Sequence, residues 1–394
     1  MVPSFTALLV AISSFFSLSA SPAPHPVERT HAVCSAPAAG DVACLAKVYG
    51  YASDGHVAPA ARTASLPTGL NPVQLRSAYQ IPAATGGRVA VIGAYDNPNA
   101  KADLDAYSQT FGLAKLPNCT NSSQASCFAK YDQRGGTFYP TRNRGWAFET
   151  ALDVETVHAA CPTCRIDLIE ANTASIANLT TAVDRAVALG SKVISMSWGA
   201  SEFGNETAYD PHFANAGVTF VSATGDWGYG AVWPAASSQV IGVGGTTLAL
   251  NADGSRYAET AWSGGGSGCS LFEAKPAWQH DTGCAHRTIS DIAAVADPAT
   301  GLAVYSSYNP YGAGWFQVGG TSLSTPVVAS MVALAAPADQ TTLFTKLYAA
   351  AGTTKLYDVI SGSNGNCSPA YLCHAGAGYD GPTGLGAPIG LDAL

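Results

Sequence analysis

Charge is scarce in this sequence. Asp, Glu, Lys and Arg make up 12 % of the residues, about half the usual quarter. The 19 lysines and arginines form no cluster and the formal net charge is −8, which argues against nucleic acid or an anionic membrane as a partner. In acid, with the carboxylates neutral, those 19 bases and 8 histidines would be the only charges left. Self-repulsion then stays modest, as suits an acidic place of work. Long apolar runs are missing too. The run at 5–18 is short for a transmembrane helix, and no later stretch reaches roughly 18 uninterrupted apolar residues. A soluble monomer without stable membrane association is expected. Small residues (Ser17, Ser19, Ala20) accompany the first run, so 1–20 reads as a secretory signal, although the usual preceding positive charge is absent. The expected location is extracellular, or an acidic compartment such as a vacuole or lysosome.

Cysteine is not scarce. Ten residues fall into the close pairs Cys34/Cys44, Cys119/Cys127, Cys161/Cys164, Cys269/Cys284 and Cys367/Cys373. Local disulfides in an oxidising compartment are the simplest reading, although spacing alone does not fix connectivity. Sequons at Asn118, Asn121, Asn178, Asn205 and Asn366 suit a glycosylated secreted protein. Residues 21–67 are rich in Pro and Ala, without sustained periodicity, and read as an N-terminal arm or short propeptide. A folded domain is expected over 68–394. Strand-like runs at 88–94, 165–170, 192–196, 218–223 and 240–243 alternate with helix-like runs at 146–160, 176–189 and 326–335. This alternation predicts an α/β fold: a mostly parallel central sheet flanked by helices on both faces. The Gly-rich stretch 361–390 predicts tight loops.

Gly320-Thr321-Ser322-Leu323-Ser324-Thr325-Pro326 places a serine in a Gly-rich turn at a helix start. Unpaired backbone N–H groups and the positive end of the dipole can stabilise an oxyanion there. Taken alone, serines at such a helix start are more often plain N-caps. The full Gly-Thr-Ser-x-x-x-Pro pattern resembles the nucleophile segment of two related peptidase families, the subtilisins and the sedolisins. None of the 8 histidines is followed by glycine, so the His-Gly-Thr-like base segment of a subtilisin is missing. The run 146–160 offers another base: Glu149 and Asp153 are four apart and share a helical face. Its flanks, from Gly145 to Glu155 and on into Ala160-Cys161-Pro162, closely resemble the sedolisin segment in which a Glu-x-x-x-Asp pair replaces histidine.

On that resemblance, which spans roughly 70–390, Gly225-Asp226-Trp227-Gly228 matches the family's oxyanion-hole aspartate. Ser197-Trp198-Gly199 matches the strand bordering the substrate cleft. Asp358-Val359 and Gly376-Ala377-Gly378-Tyr379-Asp380 match a calcium loop, with Asp358 and Asp380 giving side chains and Val359, Gly376 and Gly378 giving carbonyls to one Ca²⁺. Gly319 stands where the family commonly has Ser, and Trp227 replaces a smaller residue and should narrow the cleft. The resemblance implies a subtilisin-like fold and hydrolysis of polypeptides in acid. Ser322 would be the nucleophile, Glu149 the base, Asp153 its hydrogen-bonded partner and Asp226 the protonated oxyanion donor. Only a short segment precedes the domain, where the family typically has a long prodomain.

Other motifs lack their complements. Asp281-Thr282-Gly283 has no second Asp-Thr/Ser-Gly for an aspartic peptidase, and Cys161-x-x-Cys164 has no second pair for zinc. The rival readings are a subtilisin-like hydrolase built on Asp96 and an unrecognised histidine, and a secreted non-catalytic binding protein on a peptidase scaffold.

Overall fold

Parallel pairing dominates the central eight-stranded sheet. Its order is Arg256–Ala261, Ile241–Leu250, Thr219–Ala223, Val193–Met196, Arg88–Ala94, Arg165–Ala171 and Phe128–Asp132, with Ile292–Val295 also paired to Ile241–Leu250. Only the Arg256–Ala261 strand runs antiparallel to its neighbour. The computed structural model describes Met1, residues 28–51 and residues 67–394. The expected signal, apart from Met1, and the first part of the arm lie outside the described residues. All seven residues of Arg165–Ala171 are buried. Successive side chains of a strand point to opposite faces, so both faces of the sheet are covered, as expected. The charged members of that strand are paired: Asp167 accepts from Arg88 at 2.5 Å and from Arg165 at 2.9 Å.

The expected strand 240–243 continues to Leu250. Its glycines mark close approach rather than a strand end: a Cβ on Gly244 would lie 2.3 Å from the Pro382 carbonyl oxygen. The expected helix 326–335 begins earlier and spans Thr321–Ala335. Pro326 therefore sits inside it and cannot donate to the carbonyl of Ser322, four residues back. The Ser197 hydroxyl oxygen lies 3.4 Å from that carbonyl.

The larger difference is in the arm. Glu28–Ala32 and Lys47–Tyr51 form an antiparallel sheet with Gly314–Gly319 and Leu302–Ser306, Lys47 opposite Gly319. Their partners lie so far along the chain that no local pattern announces them. The disulfides are the local ones, Cys34–Cys44, Cys119–Cys127, Cys161–Cys164, Cys269–Cys284 and Cys367–Cys373. The Asn178 side chain accepts from Gln133 at 3.0 Å and donates to Thr173 at 2.8 Å. No single helix among the described residues is long and apolar enough to cross a membrane.

Several carboxyls are buried away from the cleft. Burial, then the charges of Glu202 and Glu273, pushes Glu206 up to about 8; burial, then Asp210 and Glu202, pushes Glu273 up to about 7. Burial also pushes Glu170 to about 8, against the pull of Lys130. An unfolded chain releases these protons near pH 4.3. The stability tied to them is therefore complete below about pH 4 and is lost as pH rises to 7–8. The melting temperature should be higher at pH 4.5 than at pH 8, and Glu206→Gln should shrink the difference. An equal or higher melting temperature at pH 8 would contradict this.

Candidate active site

The helix Arg144–Ala160 starts where the Asn143 side chain accepts from the amides of Gly145 and Trp146, at 3.0 and 3.1 Å. Every residue from Gly145 onward is buried, so its polar members have no solvent. Glu149 and Asp153, one turn apart, are each 1 % exposed. Burial raises the Glu149 carboxyl first; the nearby Ser322 hydroxyl and the Ala46 and Leu45 amides oppose this, and the Asp226 charge adds to it. Burial likewise drives Asp153 well up, with the charge of Glu149 adding and a hydrogen bond from Ser197 opposing. The two acids thus hold protons above the usual carboxylate range.

Ser322 is the second residue of its helix and is fully buried. Gly320 before it has φ +99°, and a Cβ there would fall 2.2 Å from the Leu45 carbonyl oxygen and 2.5 Å from Asp226 Oδ2. Only glycine leaves room for both. Gly319 is equally confined, since a Cβ would lie 2.3 Å from the Ala296 carbonyl. The Ser322 hydroxyl donates to the Ser197 carbonyl at 3.3 Å; it is close enough to Glu149 to hold that carboxyl's pKa down, while Glu149 Oε1 has no hydrogen-bond partner among the described residues.

Asp226 follows the strand Thr219–Ala223, at the carboxyl end of the sheet where sites in parallel sheets collect. Its Oδ1 accepts from the Thr321 amide and hydroxyl, both at 2.7 Å. Its Oδ2 is buried and has no partner among the described residues. Burial pushes this acid up to about 6, against Lys47 and the Thr321 hydrogen bonds. Below that value Oδ2 can carry a proton and donate it in a hydrogen bond.

Ser197 has two parts in the arrangement. Its hydroxyl donates to Asp153 Oδ1 at 2.6 Å, and its carbonyl faces Ser322. The expected hydrogen bond between Glu149 and Asp153 is not made: Asp153 is bonded to Ser197, and Glu149 Oε2 takes the Ala46 amide at 2.7 Å. Trp198–Ser201 forms a short strand beside Val232–Trp233, and its other edge is filled by Ala43–Cys44 of the arm. Trp227, 57 % exposed, walls a cavity of about 790 Å³ together with Ala43, Gly199, Phe203 and Tyr209.

The model of the subtilase family matches residues 151–347, half of the chain. The chain belongs to the subtilase family. Within that family its likeness is to sedolisins. It is 30 % identical over 362 residues to sedolisin of Pseudomonas sp. (strain 101), covering 81 % of this chain and 60 % of that protein. It is 31 % identical over 374 residues to kumamolisin of Bacillus sp. (strain MN-32), covering 83 % and 63 %. The chain therefore spans about three-fifths of the length of these relatives. Among solved structures, Pseudomonas sedolisin, a serine-carboxyl proteinase complexed with two molecules of pseudo-iodotyrostatin, superposes with a TM-score of 0.69 and 27 % identity, over 82 % of this chain and 95 % of that one. The subtilisin-like α/β architecture is thereby established.

A subtilase histidine relay has no support here. Asp96 is engaged by Lys130 at 2.5 Å and Arg142 at 3.4 Å, and no hydrogen bond joins a described histidine to Ser322. Asp281 of the Asp-Thr-Gly triplet is a structural acid, bonded to Lys275 at 2.5 Å, Tyr371 at 2.6 Å and Thr288 at 2.9 Å.

The C-terminal loops bring Asp358 and Asp380 together. Asp358 Oδ2 accepts from the Gly378 amide and Asp380 Oδ2 from the Gly376 amide, each at 2.9 Å. Asp380 Oδ1 accepts from the amide and hydroxyl of Thr383, both at 2.9 Å. No group of three or more His, Cys, Asp or Glu suited to a metal occurs among the described residues. A cation here would therefore need backbone carbonyls as well as the two carboxylates. Two carboxylates crowded onto one glycine loop, close enough for the Asp358 charge to act on Asp380, form a donor set that fits a hard cation.

Sequence reading missed three partners. Thr321 lies inside the recognised motif, yet its grip on Asp226 was not foreseen. Ala46 and Lys47 had no signal at all: Lys47 Nζ donates to the Asp226 carbonyl from 179 residues away.

Proposed function

We propose that this chain is a serine-carboxyl peptidase that hydrolyses peptide bonds in acid, using Ser322, Glu149, Asp153 and Asp226. One observation carries the reading: a buried serine at a helix N-terminus lies beside a buried glutamate and a buried aspartic acid, Glu149 Oε1 and Asp226 Oδ2 each having no hydrogen-bond partner among the described residues. In this scheme Ser322 Oγ attacks the scissile carbonyl while Glu149 takes its proton, and Glu149 then gives that proton to the leaving amine. Asp226 Oδ2–H, with the backbone N–H groups at the helix start, binds the oxyanion. Asp153, fixed by Ser197, sets the charge next to Glu149 and so its basicity. The Ser197–Gly199 strand would align an extended polypeptide along the cleft. Export under the N-terminal signal belongs to the same reading, and the disulfides support it. The test is hydrolysis of an unfolded protein at pH 4 by wild type and by Ser322→Ala. Equal rates would reject the assignment.

The same proposal includes one Ca²⁺ held by Asp358, Asp380 and the carbonyls of Val359, Gly376 and Gly378. When bound it would hold these loops together by charge and take no part in the chemistry. Calcium that binds only the folded chain should add about 2.7 kcal/mol at a hundredfold excess over its dissociation constant. Chelation, or acid that protonates both aspartates, should lower the melting temperature. A melting curve on metal-free protein that ignores added calcium rejects the site.

A further inference from the structure

The arm runs through the cleft in the manner of a substrate. Ala43–Cys44 pairs antiparallel with Trp198–Ser201, Ala43 opposite Gly199 and Cys44 opposite Trp198. An extended peptide docks on a free strand edge in this way. Leu45 and Ala46 follow, 2 % and 1 % exposed. The Leu45 carbonyl oxygen and Asp226 Oδ2 crowd the same point, 2.2 and 2.5 Å from where a Gly320 Cβ would be. At the other end of that peptide bond, the Ala46 N–H donates to Glu149 Oε2 at 2.7 Å. One peptide unit therefore has its oxygen beside the proposed oxyanion donor and its nitrogen against the proposed general acid.

The flanking side chains are seated as well. Leu45 clusters with Ala43 and Ala223, its Cδ1 3.9 Å from the place of a Gly199 Cβ. Lys47 lies over the Trp262 ring, 5.3 Å from its centroid, while its ammonium reaches the Asp226 carbonyl. The Cys34–Cys44 disulfide anchors the segment before the bond. The pairing of Lys47–Tyr51 with Gly314–Gly319 anchors it after the bond.

We propose that residues 42–47 are this protein's own first substrate, cut once between Leu45 and Ala46 within the same molecule, and that Leu45 marks a preference for an aliphatic residue before the cleaved bond. The inference rests on the peptidase reading above. Ser322 Oγ forms a bond to the Leu45 carbonyl carbon and its proton passes to Glu149. The carbon–nitrogen bond breaks and Ala46 leaves as an amine with that proton. Water then adds to the acyl carbon, gives a proton to Glu149 and restores the Ser322 hydroxyl, leaving Leu45 as a carboxylic acid. The cut chain beginning at Ala46 keeps its strand Lys47–Tyr51. The piece ending at Leu45 keeps its disulfide and its pairing with Trp198–Ser201, so activity on added substrate should lag behind the cut until that piece dissociates.

The experiment follows the full chain at pH 4 by intact mass and N-terminal sequencing, alongside hydrolysis of an unfolded protein. Wild type should yield a chain beginning at Ala46, at a first-order rate unchanged by dilution, while Ser322→Ala stays whole. Ala46→Pro, checked for folding by circular dichroism, removes the amide that faces Glu149 and should stay uncut at this bond. Leu45→Asp should slow the cut at least about tenfold, whereas Leu45→Met should not. Wild type that degrades added protein while its own Leu45–Ala46 bond stays intact, or is cut only elsewhere, overturns this inference and leaves the peptidase reading standing. A rate proportional to concentration overturns cleavage within one molecule. Wild type inactive on both bonds overturns the peptidase reading itself.

Discussion

Glu149→Gln should lower turnover on an unfolded protein by about 10²–10⁴-fold, with the fold intact. The amide matches the carboxyl in shape but can neither take the proton of Ser322 nor return it to the leaving amine. Glu155→Gln provides the contrast. Glu155 is on the same helix and equally buried, but its Oε2 accepts from the Tyr305 amide at 2.9 Å, away from Ser322. That change should lower the melting temperature and leave turnover near wild type. Hydrolysis of added protein and the cut at Leu45–Ala46 depend on the same proton transfer, so Glu149→Gln should reduce both. A variant that lost only the first would point to a blocked cleft, not a missing base. Near-normal turnover in Glu149→Gln, measured as initial rates at pH 4, would show that another group takes the proton.

The helix with Glu149 and Asp153 was legible because its residues are contiguous and its flanks are distinctive. The strand 165–171 was legible because burial on both faces makes an unbroken run in which only paired charges intervene. Ser322 was legible through a motif whose glycine has a measurable reason, the 2.2 Å approach of Leu45 to the place of a Gly320 Cβ. The arm was not legible. Its strands are short, and what holds them is pairing with Gly314–Gly319 and Trp198–Ser201, which no local pattern encodes. The partner of Asp153 was misread for a related reason. Helical spacing puts Asp153 beside Glu149, but Asp153 Oδ1 is held by the Ser197 hydroxyl, 44 residues away, and Glu149 Oε2 by the Ala46 amide, 103 residues away.

Activity should be confined to acid and should fall as pH rises through about 6, while the chain is still folded. Asp226 sets that limb. Burial lifts it to about 6 against Lys47 and the Thr321 hydrogen bonds, and once ionised it has no proton for the oxyanion and repels it instead. The acid limb belongs to the cluster as a whole. Glu149, Asp153 and Asp226 titrate together, and activity needs Glu149 able to accept while Asp226 holds its proton. Burial raises all three from reference values near 4. Part of that burial comes from the segment ending at Leu45, so about 6 is the upper limit for the alkaline limb once that segment has left. Asp226→Asn separates the contributions, since an amide donates at any pH. It should be less active than wild type at pH 4 and should lose the decline near pH 6. Initial rates from pH 2.5 to 9, with circular dichroism at each point, make the measurement. A histidine base of pKa about 6.5 would give the opposite slope, losing activity as it protonates. Full activity at pH 8 with none at pH 4, on folded protein, would therefore refute the carboxyl mechanism. An alkaline limb unmoved in Asp226→Asn would remove Asp226 from the oxyanion site.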